Sequence, residues 1–143
     1  MIESLVIGTF VISATVVIHT FGLIWVTHAM NWLSDRTRHM GRRSRLIAMN
    51  SVVLGLFAVL TVEVWLWAVL YLVIGAFPDF ETALYFSTVT FSTVGYGEVV
   101  MVHEWRMLAA LESVNGFLLI GWSTAYLIAA SMRVGPFKSG EHF

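Results

Sequence analysis

Three long apolar runs, at about Leu5–Trp32, Leu46–Ala76 and Trp105–Met132, constrain this chain more than any other feature. At ~1.5 Å per residue, each is long enough to cross ~30 Å of hydrocarbon as a helix. Hydrophobic residues make up 58% of the 143 and charged residues only 12%, about half the charge of an ordinary soluble domain. The expected surroundings are a lipid bilayer, and no nucleic-acid partner is expected. There is no cysteine, which excludes disulfides and thiolate metal sites.

The few charges are placed unevenly. Of the eight Lys and Arg, five (Arg36, Arg38, Arg42, Arg43 and Arg45) crowd the loop after the first run, and Arg133 and Lys138 follow the last. The excess of positive charge on the inner side of membranes puts that loop and the C-terminus in the cytoplasm. Three spans then leave the N-terminus, and the segment between the second and third runs, outside. The expected organisation is a peripheral N-terminal transmembrane helix at 1–33, a basic cytoplasmic loop at 34–45, a membrane domain at 46–132 and a short cytoplasmic tail at 133–143, in the cell (inner) membrane. The first run is too long for a signal peptide, and Glu3 stands where one would carry positive charge. It lacks the arginine repeat of a voltage sensor. Neither internal repeats nor a stretch suited to a soluble regulatory domain are present.

The segment between the second and third runs has its own punctuation. The second run breaks at Gly75-Ala76-Phe77-Pro78, since Pro78 cannot continue a helix, and Asp79 is a good N-cap for a new one. From Phe80 to about Phe91 the chain offers ~12 residues, too few to span, so this helix is expected to enter the membrane and stop. Its C-terminus, the negative end of the helix dipole, would favour a cation at the membrane centre. The hydroxyl-rich run Ser87-Thr88-Val89-Thr90-Phe91-Ser92 leads into Thr93-Val94-Gly95-Tyr96-Gly97. Two glycines alternating with bulky residues suit a backbone whose carbonyls all point one way. That geometry needs every second residue near left-handed conformation, which glycine tolerates and L-residues resist. Irregular backbone at membrane depth survives only when buried in protein or lining water, so such a strand needs neighbours.

The run Ser92-Thr93-Val94-Gly95-Tyr96-Gly97-Glu98, with this lead-in and apolar spans on both sides, resembles the signature of the potassium-channel pore family. The resemblance covers roughly Ser51 to Met132 and is to small bacterial channels of the two-helix pore type, here with an additional N-terminal helix. It implies an all-α membrane protein: three transmembrane helices plus a re-entrant pore helix and a selectivity-filter loop, assembling as a homotetramer. Four filter strands then stack rings of carbonyl oxygens that replace the hydration shell of a potassium ion. The implied function is passive, potassium-selective conduction without a voltage sensor or ligand-binding domain. No enzymatic activity is implied, and no cofactor beyond the permeant ion. A non-conducting protein that keeps the pore fold for potassium sensing or assembly is the alternative.

By the same resemblance, the carbonyls of Thr93, Val94, Gly95 and Tyr96 and the Thr93 hydroxyl would coordinate potassium. Val94 and Tyr96 would point away from the axis, with Tyr96 braced on Tyr85 and Phe86, and Gly97 would let the chain leave the filter. Two positions depart from the familiar pattern. Glu98 stands at the outer mouth where aspartate is usual. Val89 occupies a position where some members carry a glutamate that pairs with that aspartate, so that buttress is absent. Gly116 falls at the family's inner-helix hinge position, although a small residue there equally permits close helix packing. Phe117, Ile120, Thr124 and Ile128 recur at three- and four-residue spacing on one helical face. That face would line the cavity, where an apolar side chain can form a constriction that gates by dewetting.

Ionisable residues inside the spans point to function by default. Glu112 is expected ~12 Å below the start of its helix, near the end of the pore helix. There it would bond Thr88, Thr90 or Ser92 and support the filter, with Asn115 one turn along; the other reading is a protonated, satisfied structural carboxyl. Glu63 and His19 both fall at ~20 Å depth when counted from the outer ends of antiparallel helices. They are expected either to form a proton-sensitive clasp between the extra helix and the pore or to satisfy separate local partners. Trp65, Trp67 and Tyr71 are expected to face lipid or to pack normally. His19 and His28 lie ~2.5 turns apart on nearly opposite faces, so one helix cannot clamp a haem with both.

Overall fold

The computed structural model describes residues 2–36 and 42–134. Residues 37–41 of the expected basic loop and 135–143 of the expected tail, with Arg38 and Lys138, lie outside the described residues, as does the side chain of Arg42. The described chain is all helical: α1 (Ile2–Arg36), α2 (Arg42–Val73), α3 (Phe80–Phe91), a 3-10 turn at His103–Trp105 and α4 (Arg106–Val134). With 35, 32 and 29 residues, α1, α2 and α4 are each long and apolar enough to cross a membrane. The protein is therefore a multi-pass membrane protein. With 12 residues, α3 is too short to span.

Local signals set the boundaries around α3. At the end of α2, the Gly75 amide bonds the Leu72 carbonyl at 3.1 Å and the Ala76 amide bonds the Tyr71 carbonyl at 2.9 Å. Gly75 has φ +69. This is the paired C-terminal closure in which a left-handed glycine satisfies the last carbonyls. Asp79 then opens α3: its Oδ1 accepts the Thr82 amide at 2.8 Å and its Oδ2 accepts the Thr82 hydroxyl at 2.9 Å. The two bonds, the amide's first, hold the Asp79 carboxyl below the usual carboxylate range. A depressed value means the cap stabilises above the unfolded pKa and loses its effect as pH falls through the folded one. Asp79→Ala should therefore lower thermal stability in detergent at neutral pH. Its difference from the parent should shrink at about pH 3, below the ordinary aspartate value.

The chain divides into two compact units, each described by itself. The first comprises the residues up to His19 together with Leu60–Ile120. Its core is built from α2, α3 and α4 around Trp67, Tyr71, Phe86, Phe91, Leu108 and Leu119. The Phe86 ring lies 5.5 Å from Tyr71 and 4.9 Å from Phe77, centroid to centroid. Trp67 and Tyr71 are fully buried, so the lipid-facing alternative fails for both. Trp65 is 51% exposed and meets Phe80 edge-on at 5.9 Å.

The second unit comprises Thr20–Val59 and the residues from Gly121. Here α1 and α2 approach closely at two glycines: a Cβ on Gly22 would strike Val59, and one on Gly55 would strike Val26. Leu23, Val26, Met30, Val52, Leu56 and Ala130 form the core. The hydroxyls of Thr27 in α1 and Tyr126 in α4 are hydrogen-bonded at 2.7 Å. Lipid tails are as apolar as leucine, so small residues and polar ties are what hold such helices together.

Candidate functional site

The site begins where α3 stops. Ser92 caps the helix, its hydroxyl and amide both returning to the Thr88 carbonyl at 2.6 and 3.1 Å. The Thr93 amide bonds the Thr90 carbonyl at 3.0 Å, and the Val94 and Gly95 amides both bond the Val89 carbonyl, at 3.1 and 3.3 Å. Carbonyls that a helix end leaves orphaned thus hold the start of the next strand. Val89 supports that strand through its backbone.

Along the strand, φ is +60 at Thr93, +58 at Gly95 and +85 at Gly97. Every second residue is left-handed, the alternation that turns successive carbonyls to one side. For a β-branched residue such as Thr93 this is a true outlier, of a kind that costs ~1–3 kcal/mol and clusters at functional sites. Val94 and Tyr96 are 52% and 71% exposed. Of the two aromatics expected to brace Tyr96, Phe86 packs on Tyr71 and Phe77, and the Tyr85 hydroxyl donates to Glu98. That bond ties the outer end of the strand to α3.

Behind α3 lies a buried carboxyl. Glu112 is fully buried, with Oε2 2.6 Å from the Tyr71 hydroxyl and Oε1 2.5 Å from the Ser87 hydroxyl. Ser87 also donates to the Val64 carbonyl at 2.9 Å. The expected partners Thr88, Thr90 and Ser92 are not used. Their hydroxyls are exposed or half-buried, and those of Thr88 and Ser92 bond back within their own helix. Asn115 turns to α1, donating from Nδ2 to the Thr15 hydroxyl at 2.9 Å. Tyr71, Ser87 and Thr15 are the site residues that sequence reasoning misses. The available signal is a hydroxyl on an otherwise apolar face.

His19 and Glu63 do meet: Nδ1 and Oε1 are 2.9 Å apart and both side chains are fully buried. This joins α1 to α2 as Thr15 joins α1 to α4.

Gly116 lies within the continuous helix α4, where a Cβ would overlap the carbonyl of Phe91, the last residue of α3. Of the two expectations for Gly116, this geometry carries close packing. A Cβ on Gly121 would meet nothing within 4 Å. Gly116→Ala should therefore displace the end of α3, at ~1–3 kcal/mol per chain for overpacking, whereas Gly121→Ala should be nearly neutral. Thermal melts of the two variants in detergent check this, and equal melting temperatures would contradict it. Phe117, Thr124 and Ile128 are exposed, and Ile120 is half-buried against the core of the first unit.

The fold and site define a membrane protein in which a short capped helix delivers a strand of alternating handedness between two spanning helices. Residues 46–133 match an ion-channel family of the potassium-channel pore type, and the chain belongs to that family. The match leaves α1 outside it. No curated protein and no solved structure matched the chain.

Proposed function

We propose that this ion channel is a homotetrameric, potassium-selective channel of the cell (inner) membrane. It conducts passively through a filter in which each subunit contributes Thr93–Gly97. The observation that carries this reading is the alternation of positive φ at Thr93, Gly95 and Gly97. It supports a one-sided ladder of the Thr93, Val94, Gly95 and Tyr96 carbonyls, suited to a dehydrated cation. The exposure of Val94 and Tyr96 supports neighbours: four copies would cover these side chains and place the carbonyls on a common axis.

Glu98, held by Tyr85, gathers cations at the outer mouth. Phe117, Ile120, Thr124 and Ile128 line the cavity below, and Gly116 fixes α4 against the end of α3. The basic segment after α1 supports an orientation with the N-terminus outside and the C-terminus in the cytoplasm. His19 and Glu63 form a proton-sensitive clasp between α1 and the pore. The test is reconstitution in liposomes with potassium flux measured against sodium flux. Selective potassium flux is the expected result. Its absence from a protein that is demonstrably tetrameric would favour the non-conducting alternative.

A further inference from the structure

The buried carboxyl of Glu112 sits in a closed set of hydrogen-bonding groups. Three polar contacts meet there: Tyr71 hydroxyl to Oε2 at 2.6 Å, Ser87 hydroxyl to Oε1 at 2.5 Å, and Ser87 hydroxyl to the Val64 carbonyl at 2.9 Å. Each contact needs one hydrogen. Tyr71 and Ser87 have one hydroxyl hydrogen each, and a backbone carbonyl has none. If Glu112 were a carboxylate, two hydrogens would have to serve three contacts. One pair of buried oxygens would then face each other without a proton. A carboxylic acid supplies the third hydrogen and closes the set: Oε1–H donates to Ser87 Oγ, Ser87 donates to Val64, and Tyr71 donates to Oε2.

The surroundings agree with this assignment. From α2 the carboxyl meets the Tyr71 hydroxyl, and from α3 it meets the Ser87 hydroxyl. On α4, Asn115 lies one turn away, bonded to Thr15 of α1. None of these groups carries a positive charge, and a buried carboxylate without a cation partner is strongly disfavoured.

We propose that Glu112 is a neutral carboxylic acid that works as a positioning residue, latching the middle of α3 to α2 and α4 through Ser87 and Tyr71. The consequence for conduction rests on the filter reading above. Ser87 lies two residues before Val89, whose carbonyl holds the Val94 and Gly95 amides. Fixing Ser87 therefore fixes the platform on which the strand stands. The acid needs one donor and one acceptor, and it needs no charge. A glutamine offers the same two groups in nearly the same shape.

The experiment has two readouts on the purified, reconstituted protein. The infrared difference spectrum between the parent and Glu112→Gln at neutral pH should contain a protonated-carboxyl C=O band. It should contain no carboxylate band, and this readout does not depend on conduction. Glu112→Gln should keep the parent's potassium-to-sodium flux ratio, whereas Glu112→Ala should lose selectivity or assembly. A carboxylate band in the difference spectrum would overturn the assignment. A glutamine variant as impaired as the alanine variant would overturn the neutral latch. A protonated-carboxyl band in a protein that passes no ions would leave the latch standing and count against the channel reading alone.

Discussion

Gly95→Ala is expected to abolish potassium-selective flux while leaving the helices folded. The effect is confined to the backbone. A Cβ at Gly95 would meet nothing within 4 Å in the chain, so no clash is involved. What changes is the preference of the residue itself. At φ +58 an L-residue is disfavoured by about 1–2 kcal/mol, which over four strands would amount to about 4–8 kcal/mol. The strand can relieve this by rotating a peptide, and that rotation takes a carbonyl out of the one-sided ladder. Thr93 already holds φ +60 as a non-glycine residue, pinned by its amide bond to Thr90. Gly95 stands farther from the helix end and is held by a longer bond, its amide to the Val89 carbonyl at 3.3 Å. The measurement is the ratio of potassium to sodium flux in liposomes, with circular dichroism to verify helix content and Gly121→Ala as the control. Retained selectivity in Gly95→Ala would mean that the alternation of handedness is not what selects the ion.

What the sequence makes legible follows from how local each signal is. Gly75, Pro78 and Asp79 act within one turn of themselves, and they delimit α3 at the expected residues. The glycines of the strand report a backbone requirement that no neighbour can alter, and both have positive φ, a conformation that Thr93 shares without a glycine to signal it. The meeting of His19 with Glu63 is also accessible, because depth along a helix follows from counting residues. Rotation about the helix axis does not follow from counting. These spanning helices are apolar all round, so no polar face reveals which way each is turned. That is why counting sets Glu112 near the end of α3 with Thr88, Thr90 or Ser92, whereas its partner on that helix is Ser87, and why Tyr71 passes for a surface aromatic. The tie from Tyr85 to Glu98 is hidden for a related reason, since the path of the strand after Gly97 decides whether that carboxyl returns to α3.

The joint between α1 and the matched pore segment carries the other large expected effect. His19→Ala should destabilise the protein by about 3–5 kcal/mol per chain, the usual consequence of removing one partner from a buried ionisable pair. Among the described residues the Glu63 Oε2 atom has no hydrogen-bond partner, so the carboxyl depends on the contact from Oε1 to His19 Nδ1. Without it, a fully buried carboxyl loses that partner. Replacing both residues, His19→Leu with Glu63→Leu, should recover most of the loss, because well-packed apolar side chains often match a buried pair in stability. A double-mutant cycle on the thermal melt in detergent isolates the coupling between the two sites. The same variants address regulation. If the pair is the proton-sensitive clasp proposed above, a flux that varies with pH in the parent should become flat in the double leucine variant. A double variant that folds well and keeps the parent's pH profile would assign the pair to packing alone. An unchanged melt for His19→Ala would mean that α1 is held to the pore by Thr15 and the glycine contacts without help from this pair.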